Sequence, residues 1–280
     1  MAGNSTSEDY APAANDHAFA YAVDLDGNWK WGKFFYNVSY AVSTISGCQI
    51  DDNNNLVLLG MGDSMPVIME MDTFEGTVIK FMSLELDGSS DTNVPWYATY
   101  GGIHHDVSDV DDQEAYYYVS FIMKDYLQIL KIHRNSQEVI WNYQYQYHDA
   151  QDFPNRDHKN PNFLYQDKTD PRSMYLIGRF GGFANIFKFS KNNFGQQWQV
   201  TIQDYTQCDY LKNVALSGLT LDQDVWSDCY ADQNSKMHEI LSVVQPPNSG
   251  NLWTAGYMCR DKSECFKVAV VMKIDSDGEI

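Results

Sequence analysis

Positive charge is scarce in this chain. Lysine and arginine together number 19, against 38 aspartates and glutamates, which gives a formal net charge of −19. Proteins that bind nucleic acid need Lys and Arg to neutralise phosphates, and an anionic membrane surface makes the same demand. The charge balance therefore argues against both nucleic acid and a membrane surface as partners.

Long apolar runs are also lacking. No apolar stretch reaches the length of about 18 residues that indicates a membrane helix, so the sequence predicts no membrane span. Residues 1–16 are small and polar and contain no apolar core of a secretory leader. We interpret residues 1–16 as a flexible N-terminal lead-in and residues 17–280 as one domain.

Signatures of catalysis are missing too. There is no Gly-x-Ser-x-Gly nucleophile elbow, and the glycines of residues 178–182 lack the spacing of a phosphate-binding loop. Segments 24–28 and 51–55 resemble the start of a calcium loop, but the twelfth position is Phe35 in one and Gly62 in the other, where an EF-hand needs glutamate. Turn chemistry accounts for both segments. We expect no cofactor, with calcium as the weaker alternative, and a non-catalytic chain rather than an enzyme.

What the sequence does contain is one hairpin pattern that occurs five times. Each copy is an apolar strand that ends in a polar turn, usually with glycine, followed by a strand with Trp or another large apolar residue. No segment shows a sustained helical period. The turns begin at Asp24, Asp72, His133, Ser190 and Asp275, at intervals of 48, 61, 57 and 85 residues.

A second pattern keeps the same register. Four of the turns are preceded by an apolar run that ends in a small residue, at residues 56–60, 116–120, 174–178 and 252–256. This spacing suits one four-stranded sheet per repeat, and one such sheet cannot bury both of its faces alone. We therefore predict an all-β, propeller-like array of four-stranded antiparallel blades, about four to five in number and not necessarily complete. Residues 205–235 and 257–267 are predicted insertions. The four apolar runs are predicted to form the core together with Val67, Ile68, Ile129, Leu130, Ile186, Phe187, Val270 and Val271.

The repeated strings resemble those of a known fold family. Residues 270–279 and 68–72 are similar to the repeats of β-propellers of the quinoprotein-like and bacterial SBBP types, and the pattern covers most of residues 17–280. The resemblance implies the fold alone, because propellers carry many unrelated activities. The cofactor cage and calcium ligands of quinoprotein enzymes have no assignable positions here.

The densest group of potential metal ligands is His104, His105, Asp106 and Asp109. Adjacent histidines on a strand point to opposite faces, so both would bind one ion only if the segment were a loop. No ligand spacing matches a known zinc or calcium pattern. We interpret the group as a solvated acidic loop between strands and keep a metal site as the alternative.

The cysteines bear on the cellular compartment. Cys259 and Cys265 bracket the second insertion, Cys208 and Cys229 bracket a polar segment of the first, and Cys48 stands alone. If each insertion is closed by its own disulfide, an oxidising compartment follows. The alternative is five reduced thiols in a cytosolic protein.

Two N-glycosylation sequons point the same way. They begin at Asn4 and Asn37, and such sites are used on secreted proteins. Together with the cysteines they predict a glycosylated extracellular or cell-surface protein.

Aromatic residues are abundant, with 19 Tyr, 14 Phe and 7 Trp. Residues 141–148 alternate aromatic and polar side chains, so one strand face would carry a ladder of rings. We favour packing between blades as the role of these rings, and keep an exposed ladder that binds sugars or protein as the alternative.

The chain ends suggest a mode of assembly. The last hairpin copy stops at residues 278–280, where its outer strand should begin, whereas residues 28–36 offer such a strand. That strand could complete the last blade within one molecule or between molecules, or the chain could be an excerpt of a longer protein.

These observations lead to one functional expectation. We expect a non-catalytic extracellular or cell-surface propeller that acts as a structural or interaction module, with self-association as its expected mode of partnership and glycans as a further ligand class. The alternative is an enzyme or carbohydrate-binding propeller that works at a central funnel with a divalent cation.

Overall fold

The computed structural model describes residues 2–5, 17–35, 42–62, 65–84, 96–123, 126–146, 163–180, 183–202, 238–259 and 267–279. Every regular element within these ranges is a β-strand, so the predicted all-β class is confirmed. A search of the same residues for a helix capable of spanning a membrane found none. The chain divides into two compact units, Met1–Leu164 and Tyr165–Ile280.

The first unit contains three sheets. Sheet A has the order β1-β2-β3, sheet B the order β4-β5-β6-β7, and sheet C the order β11-β10-β9-β8. The strand bounds are Ala2–Ser5 (β1), His17–Val23 (β2), Trp29–Phe34 (β3), Thr44–Ile50 (β4), Asn55–Gly62 (β5), Met65–Asp72 (β6), Val78–Ser83 (β7), Trp96–Asp106 (β8), Tyr116–Met123 (β9), Tyr126–His133 (β10) and Val139–Gln146 (β11).

The second unit contains two sheets, and its first strand begins at the boundary between the units. Sheet D has the order β12-β13-β14-β15, and sheet E the order β16-β17-β18. The bounds are Phe163–Gln166 (β12), Ser173–Phe180 (β13), Phe183–Ser190 (β14), Gln196–Ile202 (β15), His238–Val244 (β16), Leu252–Cys259 (β17) and Lys267–Ile274 (β18). Neighbouring strands whose register is described are antiparallel in both units.

The two sequence patterns occupy equivalent places in these sheets. The four apolar runs lie in β5, β9, β13 and β17, which pair with the strands that lead into the predicted turns. In sheets A to D the register shifts just before the turn, at Ala22/Val23, Glu70/Met71, Lys131/Ile132 and Lys188/Phe189. The repeats therefore share both strand order and a bulge position.

Aspartate begins three of the hairpin turns because its carboxylate closes the turn. Asp24 Oδ1 accepts hydrogen bonds from the backbone N–H groups of Asp26 and Asn28, at 3.0 and 2.8 Å. The Asp275 carboxylate accepts from the second and fourth residues after it in the same way, and the Asp72 carboxylate accepts from the second and third. The glycines of these turns, Gly27, Gly76 and Gly278, have φ values of 83°, 67° and 87°, which favour glycine.

Two turns achieve the same closure without aspartate at the first position or glycine at the left-handed position. His133 Nδ1 accepts the N–H of Ser136 at 3.1 Å, and Ser190 Oγ accepts the N–H of Asn192 at 3.3 Å. The left-handed positions are taken by Gln137 and Phe194, with φ values of 63° and 52°. These substitutions explain why the third and fourth copies depart from the Asp-x-x-Gly pattern.

The core of the first unit lies between neighbouring sheets. One cluster joins sheet B to sheet C, and a second joins sheet A to sheet B. The first includes Val57, Leu59, Ile68, Tyr117, Val119, Phe121, Leu130 and Ile132, and the second includes Ala18, Ala20, Leu56, Leu58, Val67, Met69 and Met71. The inner strands are therefore buried on both faces, which explains their continuous apolar character.

Most of the predicted core is confirmed, and sheet E supplies the exceptions. Val67, Ile68, Ile129, Leu130, Ile186 and Phe187 are buried. In contrast, Val271 is 53 % exposed, Trp253 is 40 % exposed and Val270 is only half-buried. The prediction was wrong at these positions because an apolar run indicates a strand but not which of its faces another sheet covers.

Two N-terminal segments pair within sheet A. Residues Ala2–Ser5, assigned from sequence to the flexible lead-in, form β1 and pair with β2. Strand β3, considered above as the missing strand of the last blade, pairs with β2 in sheet A. The predicted insertions lie mostly outside the described residues.

We predict that Leu59→Ala destabilises the first unit by about 2–5 kcal/mol, because Leu59 is fully buried between sheets B and C and its loss leaves a cavity. The matched control is Ile79→Ala, because Ile79 is 47 % exposed in the same sheet. Urea denaturation followed by tryptophan fluorescence measures both free energies of unfolding. Equal losses for the two variants would contradict the assignment of this interface.

Candidate functional site

The predicted ligand group lies at the end of β8 and in the turn that follows, and it is buried. His104, His105, Asp106 and Asp109 are only 8, 2, 7 and 1 % exposed. The expected solvated loop is therefore wrong. Asp-rich sequence suggested solvent exposure, but sheet B covers this segment.

The two histidines face opposite sides of their strand, as the alternation of β8 requires. The ring of His104 lies 6.2 Å from that of Tyr118, and the ring of His105 lies 4.6 Å from that of Tyr117. His104 Nδ1 is 2.9 Å from Gln49 Nε2, and His105 Nδ1 is 2.7 Å from Asp51 Oδ2. The two rings therefore do not converge on one ion.

Asp109 takes part in a buried group of three side chains within sheet C. Its Oδ2 accepts hydrogen bonds from the Tyr118 hydroxyl at 3.2 Å and from Lys131 Nζ at 3.3 Å. Lys131 lies opposite Tyr118 in the β9–β10 pair, and its ammonium lies 3.9 Å from the ring centroid of Tyr116. Asp109 thus neutralises a buried lysine.

Sheet D repeats this group at equivalent positions. Asp167 Oδ2 accepts from the Tyr175 hydroxyl at 2.8 Å and pairs with Lys188 Nζ at 2.7 Å. Tyr175 lies opposite Lys188, as Tyr118 lies opposite Lys131. In addition, Gln245 Nε2 donates to Asp167 Oδ1 at 2.9 Å. The carboxylate, tyrosine and lysine therefore form a recurrent internal triad.

Sheet B has an acidic residue at the position that lysine occupies in sheets C and D. Glu70 stands where sheets C and D have lysine, and its partner strand carries Val57 instead of tyrosine. Arg134, in the turn of sheet C, donates from Nε to Glu70 Oε2 at 2.8 Å and from one terminal nitrogen to Oε1 at 2.9 Å. The Tyr117 hydroxyl donates to Oε2 at 2.7 Å. A carboxylate, a tyrosine hydroxyl and a cation are again present, but the cation is a guanidinium and the group now joins two sheets.

Sequence reasoning missed these ion pairs, although one signal was available. Glu70, Lys131, Lys188 and Lys273 each lie two residues before the start of a turn, and Ala22 occupies that place in the first copy. Aligning the five copies column by column shows a charged residue in an otherwise apolar strand. Such a residue on a buried strand requires a partner of opposite charge.

The pKa values follow from these contacts. Burial would raise the pKa of Glu70, but hydrogen bonds from Arg134 and Tyr117 outweigh it, and the pKa lies below its usual value. The same balance holds for Asp167, where bonds from Lys188 and Gln245 lower the pKa well below 3.8. Burial, reinforced by the carboxylate that each hydroxyl contacts, raises the pKa of Tyr117, Tyr118 and Tyr175.

One group has the composition of a metal site. Asp51, Glu70 and His105 are all buried, and one potential ligand atom from each lies within 4.8 Å of the others. However, Glu70 already accepts two bonds from Arg134, one from Tyr117 and one from Asn55 Nδ2 at 3.2 Å. Four donors use all the acceptor positions of a carboxylate. The residues therefore fit an internal ion pair better than a metal ion.

Other predicted sites have mixed outcomes. The segments beginning at Asp24 and Asp51 form hydrogen-bonded turns, which confirms their interpretation as turn chemistry. Cys48 is a free thiol. Cys208, Cys229, Cys265 and Asn37 lie outside the described residues, as does the environment of the Cys259 and Asn4 side chains, so disulfides and glycosylation stay predictions.

The aromatic ladder of β11 divides between packing and exposure. β11 is the outer strand of sheet C. The ring of Trp141 lies 6.1 Å from that of Tyr118 and 5.8 Å from that of Tyr143, and Tyr143 is 41 % exposed. In this ladder, Trp141 therefore packs on sheet C, whereas Tyr143 is partly exposed to solvent.

Comparison with known proteins supports the fold. Searches against family models and curated proteins find no match. Among solved structures, the Dos1 propeller is similar over 94 % of this chain and 53 % of that chain, with 6 % identity and a TM-score of 0.51. The chain has the β-propeller fold. Its sheets are the blades, the predicted propeller resemblance is confirmed, and the chain spans about half the length of the Dos1 propeller.

Two further structures are similar at lower scores. Quinohemoprotein alcohol dehydrogenase from Comamonas testosteroni matches 85 % of this chain and 34 % of that chain, with 11 % identity and a TM-score of 0.41. Drosophila Plexin A in complex with Semaphorin 1b matches 94 % and 49 %, with 9 % identity and a TM-score of 0.46.

We predict that Lys188→Met destabilises the protein by about 3–5 kcal/mol at neutral pH, because it leaves the Asp167 carboxylate buried without its cation. The lowered pKa of Asp167 means that the pair stabilises the fold above the ordinary carboxyl pKa and that this contribution is lost as the pH falls below 3.8. The difference in the free energy of unfolding between wild type and variant should therefore decrease on acidification. Urea denaturation at several pH values measures this difference.

The matched control for this experiment is Lys273→Met. Lys273 occupies the same place before a turn but is exposed. The buried ion pair would be contradicted if Lys273→Met lost as much stability as Lys188→Met. It would also be contradicted if the stability lost in Lys188→Met did not depend on pH.

We also predict that Glu70→Lys is destabilising, although lysine is the commonest residue at this place in the repeats. A lysine there would face the guanidinium of Arg134, and the loss should exceed about 3 kcal/mol. Thermal unfolding of the single variants and of Glu70→Lys/Arg134→Glu measures the coupling. If restoring opposite charges in the double variant recovers no stability, the cross-sheet pair is not the cause.

Proposed function

We propose that this propeller is a non-catalytic interaction module that works outside the cell. The proposal rests on the observation that the buried carboxylates are engaged in ion pairs inside the protein. Glu70, Asp109 and Asp167 each accept hydrogen bonds from a cation and a tyrosine hydroxyl, so each carboxylate is committed to an ion pair inside the fold. A catalytic carboxylate needs access to substrate and a free lone pair.

The lowered pKa values support the same conclusion. A general acid or base is tuned towards the working pH, whereas Glu70 and Asp167 are shifted away from it, towards permanent ionisation. These groups are matched to structural ion pairing. What remains for recognition is the outer surface, which is acidic overall and carries exposed aromatic side chains.

The extracellular location rests on the cysteine and sequon patterns. Paired cysteines at the two insertions and a glycan at Asn37 are features of secreted proteins. Cys48, which is exposed and free, is compatible with a pattern in which only the insertion cysteines are paired.

We predict disulfides joining Cys208 to Cys229 and Cys259 to Cys265, with a glycan on Asn37. Peptide mapping by mass spectrometry under non-reducing conditions, on protein secreted from eukaryotic cells, detects both. Alkylation of Cys48 before reduction is the internal control, because its thiol is exposed. The variants Cys265→Ser and Asn37→Gln should remove the second bridge and the glycan. If all five thiols alkylate without reduction and both sequons are bare, the extracellular proposal fails.

A further inference from the structure

Five turns of the first unit lie together at one end of sheets A, B and C. We call them the turn end, which comprises residues 24–28, 51–54, 72–77, 107–115 and 133–138. Within sheet B the Thr73 hydroxyl donates to the Asn54 carbonyl at 2.6 Å, and within sheet C the Arg134 N–H donates to the Ala115 carbonyl at 2.8 Å. The Trp31 indole joins sheet A to the Thr73 carbonyl, and the Arg134 guanidinium joins sheet C to sheet B. The turns of the three sheets therefore form one continuous surface.

The described residues include every turn of this surface. Each strand from β2 to β11 that ends or begins at the turn end is joined to its neighbour by described residues. The ends of these strands that lead into residues outside the described ranges, such as those of β3 and β7, lie at the opposite end of the sheets. The side chains that the turn end exposes can therefore be assigned directly.

Two adjacent turns present a large apolar side chain to solvent. Leu25, in the turn of sheet A, is 107 % exposed, and Phe74, in the turn of sheet B, is 87 % exposed. The carboxylates of Asp24 and Asp72 accept hydrogen bonds from backbone N–H groups of their turns and hold the turn backbone in place. Because the Leu25 and Phe74 side chains are exposed and the carboxylates close the turns, neither side chain is needed for turn closure or for the core.

The other copies of the turn confirm that this position does not require an apolar residue. In sheets A and B, the glycine with positive φ follows an apolar residue and an acidic residue, namely Leu25-Asp26 and Phe74-Glu75. The equivalent pairs of sheets C, D and E are polar, namely Asn135-Ser136, Asn192-Asn193 and Ser276-Asp277. All five turns form, so turn geometry does not explain the apolar–acidic pairs of sheets A and B.

The turn end also concentrates negative charge. It contains eleven aspartates and glutamates but one arginine, whereas the whole chain has 38 acidic and 19 basic residues. That arginine, Arg134, is committed to Glu70. Asp26 and Glu75 make no ion pair within the part of the chain that the structure describes. Exposed apolar side chains beside unpaired carboxylates complement a partner that offers both apolar side chains and positive charge.

We propose that the turn end of sheets A and B binds a cationic segment of another protein, in which large apolar side chains lie beside Lys or Arg. This inference rests on the proposed role as an interaction module and specifies the chemistry of its partner. Leu25 and Phe74 contact the apolar side chains of the segment, and Asp26 and Glu75 pair with its cations. A second copy of this chain does not fit, because its turn end is acidic and its net charge is −19.

The probe is a synthetic peptide of about eight residues with the repeat Leu-Leu-Lys-Lys, labelled with a fluorophore. In an extended chain, successive side chains point to opposite faces, so this repeat places both leucine and lysine on each face. Fluorescence anisotropy with the full chain at about 0.05 M salt should give a dissociation constant of about 1–100 µM, as for a small transient interface. Peptides with the repeats Ser-Ser-Lys-Lys and Leu-Leu-Glu-Glu should each bind at least about tenfold more weakly.

One pair of variants tests the apolar contacts. Leu25→Ser/Phe74→Ser should raise the dissociation constant at least about tenfold, because these side chains are the apolar anchors of the surface. The control Val244→Ser should leave it unchanged, because Val244 is 54 % exposed but lies in sheet E. The thermal unfolding midpoints of these variants should match that of the wild type, because the substituted side chains are exposed.

A second pair of variants separates local charge from the charge of the whole chain. Asp26→Asn/Glu75→Gln should weaken binding about tenfold, as should raising the salt to about 0.5 M, which screens the carboxylates. The control Asp277→Asn/Glu279→Gln removes the same number of charges from the equivalent turn of sheet E and should have no effect.

Four outcomes would overturn the proposal. They are no binding of the Leu-Leu-Lys-Lys peptide up to about 1 mM, equal binding of the Ser-Ser-Lys-Lys peptide, no effect of Leu25→Ser/Phe74→Ser, and equal weakening by the two charge variants. Equal binding of the serine peptide would mean that the acidic surface attracts any cation. None of these outcomes bears on the disulfide and glycan test, so failure of this inference is distinguishable from failure of the extracellular role.

Discussion

Burial of each sheet against the next is the interaction on which the rest of this structure depends. The inner strands of sheets B and C are closed to solvent on both faces: Leu59 and Val119 are fully buried, as are Leu130 and Ile132. A four-stranded sheet is too thin to hold such strands alone, because each has an apolar face on either side. Polar side chains on these strands must then find their partners inside the protein.

The internal ion pairs provide these partners for the charged side chains on the buried strands. Lys131 and Lys188 lie on third strands, just before the bulge, where a carboxylate from the turn at the end of the first strand can reach them. A tyrosine on the facing strand supplies a further donor to the same carboxylate. Buried pairs of this kind add less net stability than apolar packing but penalise any arrangement that separates them. We infer that they act on the specificity of the fold more than on its free energy.

Features that recur in every copy could be predicted from the sequence, whereas contacts between non-equivalent positions could not. Turn aspartates and apolar runs recur at equivalent positions, so comparing the copies revealed strand order, turns and most of the core. The contact of Glu70 with Arg134 joins non-equivalent positions 64 residues apart, and no comparison of copies indicates it. His105 was expected in solvent because aspartates surround it in sequence, whereas Asp51 and Gln49 come from sheet B to cover it. At Val271, apolar character predicted burial, but the sequence does not say which face receives a neighbour.

The charge inversion at Glu70 has a consequence for how similar sheets are kept in order. Modules with a common backbone pattern can stack in the wrong sequence unless a contact distinguishes them. Sheets C and D have lysine two residues before the turn. If a sheet of that kind took the place of sheet B, its lysine would face Arg134 of sheet C. Only a sheet with an acidic residue there fits. Sheet A has Ala22 at this position, and its junction with sheet B relies on apolar packing and the bond from Trp31 Nε1 to the Thr73 carbonyl. Among the described residues, the buried charge at this place in the repeat therefore belongs to sheets B, C and D, and the junction of sheets A and B is held without it.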